Sequence, residues 1–498
     1  MHSVIETNYR TALFSQSAIY FAWATAAYIF INFVWTENHF FPVHQDDWVF
    51  LGRGIDDLTW RIERPVMMNI AYLTAAAGEL PLFLSVSFLT LAFPALTILF
   101  FSRLFHVRFT WWMLATFFFV AFYHPGSFEY GKYLAGVGEW SLLFGMVGLI
   151  LLLEAYRSRN VAMAALAWLF YTLSAFSKED FLLPSLILAF FGMFGLIRRD
   201  PNEQGYIEPQ FNPLMAWSLA LSFVAAGASA IFSATLNSRF AGVVQSESGG
   251  PYDVLLNVPS LLSTFVMLTW GYIPVESAAT VAAVVICWVL LPRKRIEVLI
   301  AAAITLSLIA PIMLIPQNLH SYRAFGWLPW FAAIITVALY AMTARLELRL
   351  RGGVFAVASI AAVLVVGVYL SNWQERTNIA SWYLNTQQMM RQMLASLEDN
   401  RDLISSEPVV GVAGLDGLSP WHNNSGAFLR MKLGYPNNWI VFADAGDPYY
   451  QPGSTEVSGP AITSIAPIAE LCKNPGLLVL EFDETGRGVP RRASQICG

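Results

Sequence analysis

Two adjacent carboxylates stand in the segment His44-Gln45-Asp46-Asp47-Trp48-Val49-Phe50-Leu51. They follow a long apolar stretch by a few residues and are followed by aromatic ones, so they belong at a lipid–water boundary. A carboxylate there is partly desolvated, its pKa can rise, and it can act as a general base. The plainer reading is an N-cap of the next helix, with Asp56-Asp57 doing the same further on. Other ionisable groups share the arrangement. Arg64-Pro65 closes the same loop. Glu129, Lys132 and Glu139 form a second group, and Ser177-Lys178-Glu179-Asp180 a third. His320-Ser321-Tyr322-Arg323-Ala324-Phe325 precedes Trp327-Leu328-Pro329-Trp330. Charges in short loops at a membrane face line a site more often than they decorate a turn. On that ground Glu129, Lys132, Glu179, Asp180, His320 and Tyr322 are candidate substrate contacts. Interface anchoring, or a local Lys178–Glu179 ion pair worth under about 1 kcal/mol, is the competing account.

The elements that must position these groups are membrane helices. Of 498 residues, 56% are hydrophobic and 13% charged, and the mean hydropathy is +0.53. One soluble core could not hide so much apolar surface, so the excess must face lipid. A net charge of −5 with no basic stripe excludes a nucleic-acid binder, and three cysteines exclude a disulfide scaffold. Apolar stretches fall at 14–35, 82–102, 109–123, 141–156, 161–176, 181–197, 214–236, 275–292, 297–316, 326–343 and 354–371. These make about eleven transmembrane helices, the first read as retained rather than cleaved. The apolar stretch 259–274, bracketed by Pro259 and Pro274, is read as re-entrant or interfacial.

Lysine and arginine set the orientation, since they collect in cytoplasmic loops. With the N-terminus inside and eleven spans, Arg103 and Arg108, Arg157 and Arg159, Arg198 and Arg199, Arg293-Lys294-Arg295, and Arg345, Arg349 and Arg351 all fall in the cytoplasm. A twelfth span at 259–274 would put the Arg293 cluster outside. The candidate site residues then share the outer side. The first external loop, 36–81, is long and rich in acids. Residues 1–371 read as the membrane domain. The tail, 372–498, reads as a small extracytoplasmic α/β domain, with a helical run at 376–399 and strand-like runs at 409–413, 439–443 and 477–482. Cys472 and Cys497 flank the last of these runs, in a compartment that permits a disulfide. Cys287 lies inside a span. No His/Cys cluster suggests zinc, and no glycine-rich loop cradles a phosphate.

The ordered set of Asp46-Asp47 in a long first external loop, Lys178-Glu179 in a later one, and the Tyr322-Arg323 segment before a late span resembles the GT-C superfamily of integral-membrane glycosyltransferases. The resemblance covers the whole span pattern through short motifs and does not extend to the tail. It implies an inner (plasma) membrane enzyme, a hexosyl- or pentosyltransferase. Such an enzyme moves a sugar, with inversion, from a polyprenyl-phosphate carrier to a glycan, lipid or protein acceptor outside the cytoplasm. The matching position makes Asp46 the base, with Asp47 orienting it or holding the acceptor. Arg323, Lys178 and Arg64 are the cations for the leaving phosphate. No cofactor is implied as required, and a divalent cation is left open. Three rivals stand beside this reading. A polymerase or ligase of lipid-linked glycans would place its Arg and His in large late loops. A transporter or flippase would carry ionisable or broken segments at the midplane. A non-enzymatic scaffold would leave Asp46 far from any cavity.

Overall fold

The computed structural model describes residues 2–34, 66, 70, 73–74, 77, 79–130, 139–177, 181–198, 210–236, 258–313, 321–347, 352–414, 438–443, 455–458 and 461–497. Each of the eleven apolar stretches falls on a helix. In chain order the helices up to residue 399 are α1 (His2–Ile29), α2 (Glu79–Leu104), α3 (Trp111–Tyr123), the short α4 (Pro125–Tyr130), α5 (Glu139–Ser158), α6 (Val161–Ala175) and α7 (Leu182–Met193). Then follow α8 (Pro213–Leu236), α9 (Val258–Val266), α10 (Pro274–Leu290), α11 (Arg295–Met313), α12 (Leu328–Glu347) and α13 (Gly353–Asp399). Their starts are written in local chemistry. The Asn160 side chain accepts from the amides of Ala162 and Met163 at 2.9 and 3.2 Å and opens α6. Asn212 does the same for Leu214, beside Pro213 at the first helical position of α8.

Among the described residues, six helices are long and apolar enough to cross a membrane alone. A seventh span results if α9 and α10 are taken as one broken element, bent by 99° between Gly271 and Pro274. α3, α6 and α7 are apolar but shorter. The expected count of eleven crossings is therefore not established by length. The sharp bend fits either a broken span or a re-entrant segment at 259–274.

The core is aromatic. Phe100, Phe101, Phe117, Phe118, Trp327 and Trp330 are buried where α2, α3 and α12 meet, and the Trp330 ring lies 5.6 and 5.4 Å from Phe100 and Phe101. Large apolar side chains cover the outer faces instead, such as Phe223 and Val224 on α8 and Phe355, Val363 and Leu370 on α13. Water would not tolerate so much exposed apolar surface, and lipid does.

One end of the bundle is closed by cations aimed at helix ends. Arg157 donates to the Arg103 carbonyl at 2.8 Å and to His106 Nε2 at 2.9 Å. Lys294 donates to the Phe105 carbonyl, and Arg198 to that of Arg293 at 2.9 Å. Glu154 lies 3.9 and 3.8 Å from Arg103 and Arg157. Positive charge suits helix C-termini. These cations come from four of the basic groups that the charge rule assigns to one side, and they do share an end.

α13 runs unbroken for 47 residues, about 70 Å. The hydrocarbon core is about 30 Å thick, so more than half of α13 stands clear of it. The last expected span and the helical run at 376–399 are thus one element, which passes through residue 371 without a break. Beyond it six strands form one sheet in the order β3-β4-β2-β1-β5-β6, with β1 at Val409–Ala413, β2 at Asn438–Ala443, β3 at Thr455–Ser458, β4 at Ala461–Pro467, β5 at Leu478–Phe482 and β6 at Gly488–Arg492. The inner four are parallel, while β3 and β6 pair antiparallel at the edges. The sheet is tied to α13 where the Gly488 amide donates to Ser396 Oγ at 2.9 Å. Cys472 and Cys497 form a disulfide with a Cα–Cα distance of 5.7 Å.

Candidate functional site

Asp46, Asp47, Arg64, Lys132, Lys178, Glu179, Asp180 and His320 lie outside the described residues. Glu129 falls in α4, and Tyr322 and Arg323 fall in a single 3-10 segment, Ser321–Gly326; for these three the backbone alone is described. What the structure does give is where the neighbours of these motifs sit.

Those neighbours converge. α4 packs directly on the Ser321–Gly326 segment. Phe325 reaches Phe93 of α2 at 5.5 Å. Ser177 and Phe181, which flank the Lys-Glu-Asp run, are both fully buried, and the Phe181 ring lies 6.4 Å from Trp330. Gly145 makes room for it, since a Cβ there would sit 2.1 Å from the Phe181 ring. Gly145 lies about two turns inside α5, roughly 9 Å below its start. α7 has 12 residues, about 18 Å, which is too short to cross about 30 Å of hydrocarbon. Its start is anchored on the aromatic core, where the Phe181 ring meets Trp330.

A second polar group lies at the ends of α1, α3, α10 and the middle of α13. Arg376 and Asn32 are joined there at 3.1 Å. Glu276, in the first turn of α10, is fully buried and accepts from Asn372 Nδ2 at 2.9 Å. His124 is fully buried just past α3. Its Nδ1 accepts from the Gly126 amide at 2.9 Å, which leaves the ring proton on Nε2, 3.1 Å from the Tyr272 carbonyl. Arg376, Asn32 and His124 are committed to these partners and serve as scaffold, whereas Glu276 Oε2 is buried with no hydrogen-bond partner among the described residues. Among the described residues no three His, Cys, Asp or Glu side chains come together as metal ligands.

Burial pushes the His124 pKa from 6.5 down to about 4, with Arg376 acting in the same direction and the Tyr272 hydrogen bond opposing. The unfolded chain therefore takes up a proton first as pH falls. His124's contribution to stability is complete above about pH 6.5 and is lost as pH drops toward 4, by about 3 kcal/mol in all. His124→Gln should flatten this part of the acid limb. Melting temperatures of both proteins measured from pH 7.5 to 4 check it, and parallel curves would contradict it.

Sequence reading missed Arg376, His124, Glu276, Asn372 and Asn32. The Pro that opens α10 and the Pro125-Gly126 pair after His124 mark the breaks beside them, but nothing marks their partners.

No family model and no curated protein matches this sequence. Among solved structures, the chain is similar to ArnT from Cupriavidus metallidurans in the apo state, with 12% identity over 97% of this chain and 94% of that one and a TM-score of 0.43. It is similar also to ArnT from the same organism bound to undecaprenyl phosphate, with 13% identity, 96% and 94% coverage and a TM-score of 0.42. Similarity of this degree leaves the chemistry to be argued from the residues.

Proposed function

We propose that the chain is an inverting membrane glycosyltransferase of the GT-C type, using a polyprenyl-phosphate sugar as donor. The observation that carries the reading is the packing of Phe181 against Trp330 at 6.4 Å, which sets the residue after the Lys-Glu-Asp run against the start of the helix that follows the Tyr-Arg segment. Asp46 takes the proton of the acceptor hydroxyl. The acceptor oxygen attacks the anomeric carbon from the face opposite the carrier. The bond from that carbon to the phosphate oxygen breaks, and polyprenyl phosphate departs with the electron pair. Its charge is met by cations, Arg323 first, then Lys178 and Arg64, so no acid need protonate it. A lipid-linked donor lies along the membrane, which suits a site at the interface. Asp47, Glu129, Lys132, Glu179, Asp180, His320 and Tyr322 surround donor sugar and acceptor. The acceptor is a glycan, lipid or protein on the outer face of the inner membrane, the side taken by the tail.

Polyprenyl phosphate, as product, should raise the melting temperature of the solubilised protein by mass action. Arg323→Ala should weaken that apparent affinity about 10–100-fold, the worth of one charged hydrogen bond. Arg349→Ala, placed by the charge rule on the cytoplasmic side, should leave it unchanged. Equal losses in both variants would contradict the site.

A further inference from the structure

Arg376 is 4% exposed, yet among the described residues no carboxylate is hydrogen-bonded to it. Its Nη1 donates to the carbonyls of Phe122 and Tyr123 at 3.2 and 2.8 Å. Its Nη2 donates to the Ile31 carbonyl and to Asn32 Oδ1, both at 3.1 Å. The rings of Tyr123 and Phe128 each lie 4.9 Å from Cζ. The compensating negative charge is that of helix ends. Phe122 and Tyr123 close α3, and Ile31 sits in the π-helical turn Phe30–Val34 that ends α1. Both terminal nitrogens are committed to carbonyls and the guanidinium plane is flanked by rings, so the group is built as a clamp and not as a phosphate ligand.

We propose that Arg376 is a positioning residue for the transfer reaction, clamping the end of α1 to the end of α3 and so fixing the root of the acidic loop. The proposal rests on the reading of Asp46, 14 residues beyond Asn32, as the base. The clamp also has a second consequence. α13, which supplies Arg376, is bonded through Ser396 to the C-terminal sheet. The tail is thereby joined to the root of the loop by one continuous helix. Lysine cannot replace the group, because a point charge cannot reach two helix ends at once.

The test uses the full chain in lipid nanodiscs, as Arg376→Lys, Arg376→Gln and the milder Asn32→Ala, which removes one acceptor. Two quantities are read. Amide exchange over residues 30–34 and 122–128 should quicken at least about tenfold in Arg376→Gln, while residues 103–107 at the opposite end stay unchanged. Sugar transfer should lose about 10–100-fold in kcat, as expected for a displaced catalytic group. Donor KM should move by less than about threefold, since donor binding is untouched. Arg376→Lys should follow Arg376→Gln, and Asn32→Ala should show the same pattern more weakly. Unchanged exchange at 30–34 overturns the clamp. Quickening everywhere alike also overturns it, because Arg376 would then merely hold the bundle together. Local quickening with an unchanged kcat overturns the positioning role. Local quickening in a chain whose wild type transfers no sugar keeps the clamp and removes the glycosyltransferase reading instead.

Discussion

Asp46→Asn should abolish sugar transfer while leaving expression and donor binding intact. The amide keeps the size of the side chain and removes its basicity. Losing a positioned general base costs about 10²–10⁴-fold in rate. The loss should appear in kcat with KM for the donor little changed, because the base acts on the acceptor hydroxyl during attack. Asp47→Asn should be milder, since the second carboxylate orients the base or holds the acceptor. Polyprenyl phosphate should still raise the melting temperature of Asp46→Asn, which separates a lost base from a lost fold. Turnover near that of the wild type would remove Asp46 as the base.

Breaking the bridge between Cys472 and Cys497 should destabilise the C-terminal sheet by about 3–4 kcal/mol, the chain-entropy value for a closed loop of 25 residues. The bridge joins the 3-10 segment Ile468–Lys473 to the terminal helix Ala493–Cys497. Each contributes a buried residue, Leu471 and Ala493, to one small core with Ala413, Phe442 and Val479. A terminal segment rich in Arg, Gly and Pro would otherwise fray. Cys472→Ser with Cys497→Ser should therefore open the last strand pair to protease well before the membrane helices unfold. Protein made in its native membrane, alkylated without reduction, should show neither cysteine labelled. Two freely alkylated thiols would contradict the bridge, and would weaken the case that the tail faces outward.

Much of this architecture can be read from sequence because lipid imposes a simple demand. Every spanning segment must be long and apolar, so stretches such as 82–102 and 326–343 show themselves by composition. The strands β1 and β5 were legible for a related reason. They are inner parallel strands, and both faces are covered, so Val409–Ala413 and Leu478–Phe482 are nearly unbroken apolar runs. β3 and β6 were not, since edge strands need not be apolar: Thr455–Ser458 is mostly polar, and β6 carries Pro490, which an edge tolerates. Length misled in two places. α7 has 12 residues and is shorter than the apolar stretch 181–197, and α13 continues without a break past residue 371. The acidic pair, the Lys-Glu-Asp run and the Tyr-Arg segment stood out because charge is conspicuous in an apolar chain. Arg376 did not, because its acceptors are mostly backbone carbonyls, up to 345 residues away in sequence, and a carbonyl leaves no mark on residue type.

The central claim is that the donor is a sugar on a polyprenyl phosphate. Purified protein incubated with a panel of such donors, with mass spectrometry of the lipid products, tests it most directly. The account predicts that at least one donor yields free polyprenyl phosphate in the presence of membrane extract as acceptor source, and that Asp46→Asn yields none. Every donor recovered intact with the wild-type protein, under conditions where polyprenyl phosphate still binds, would contradict it.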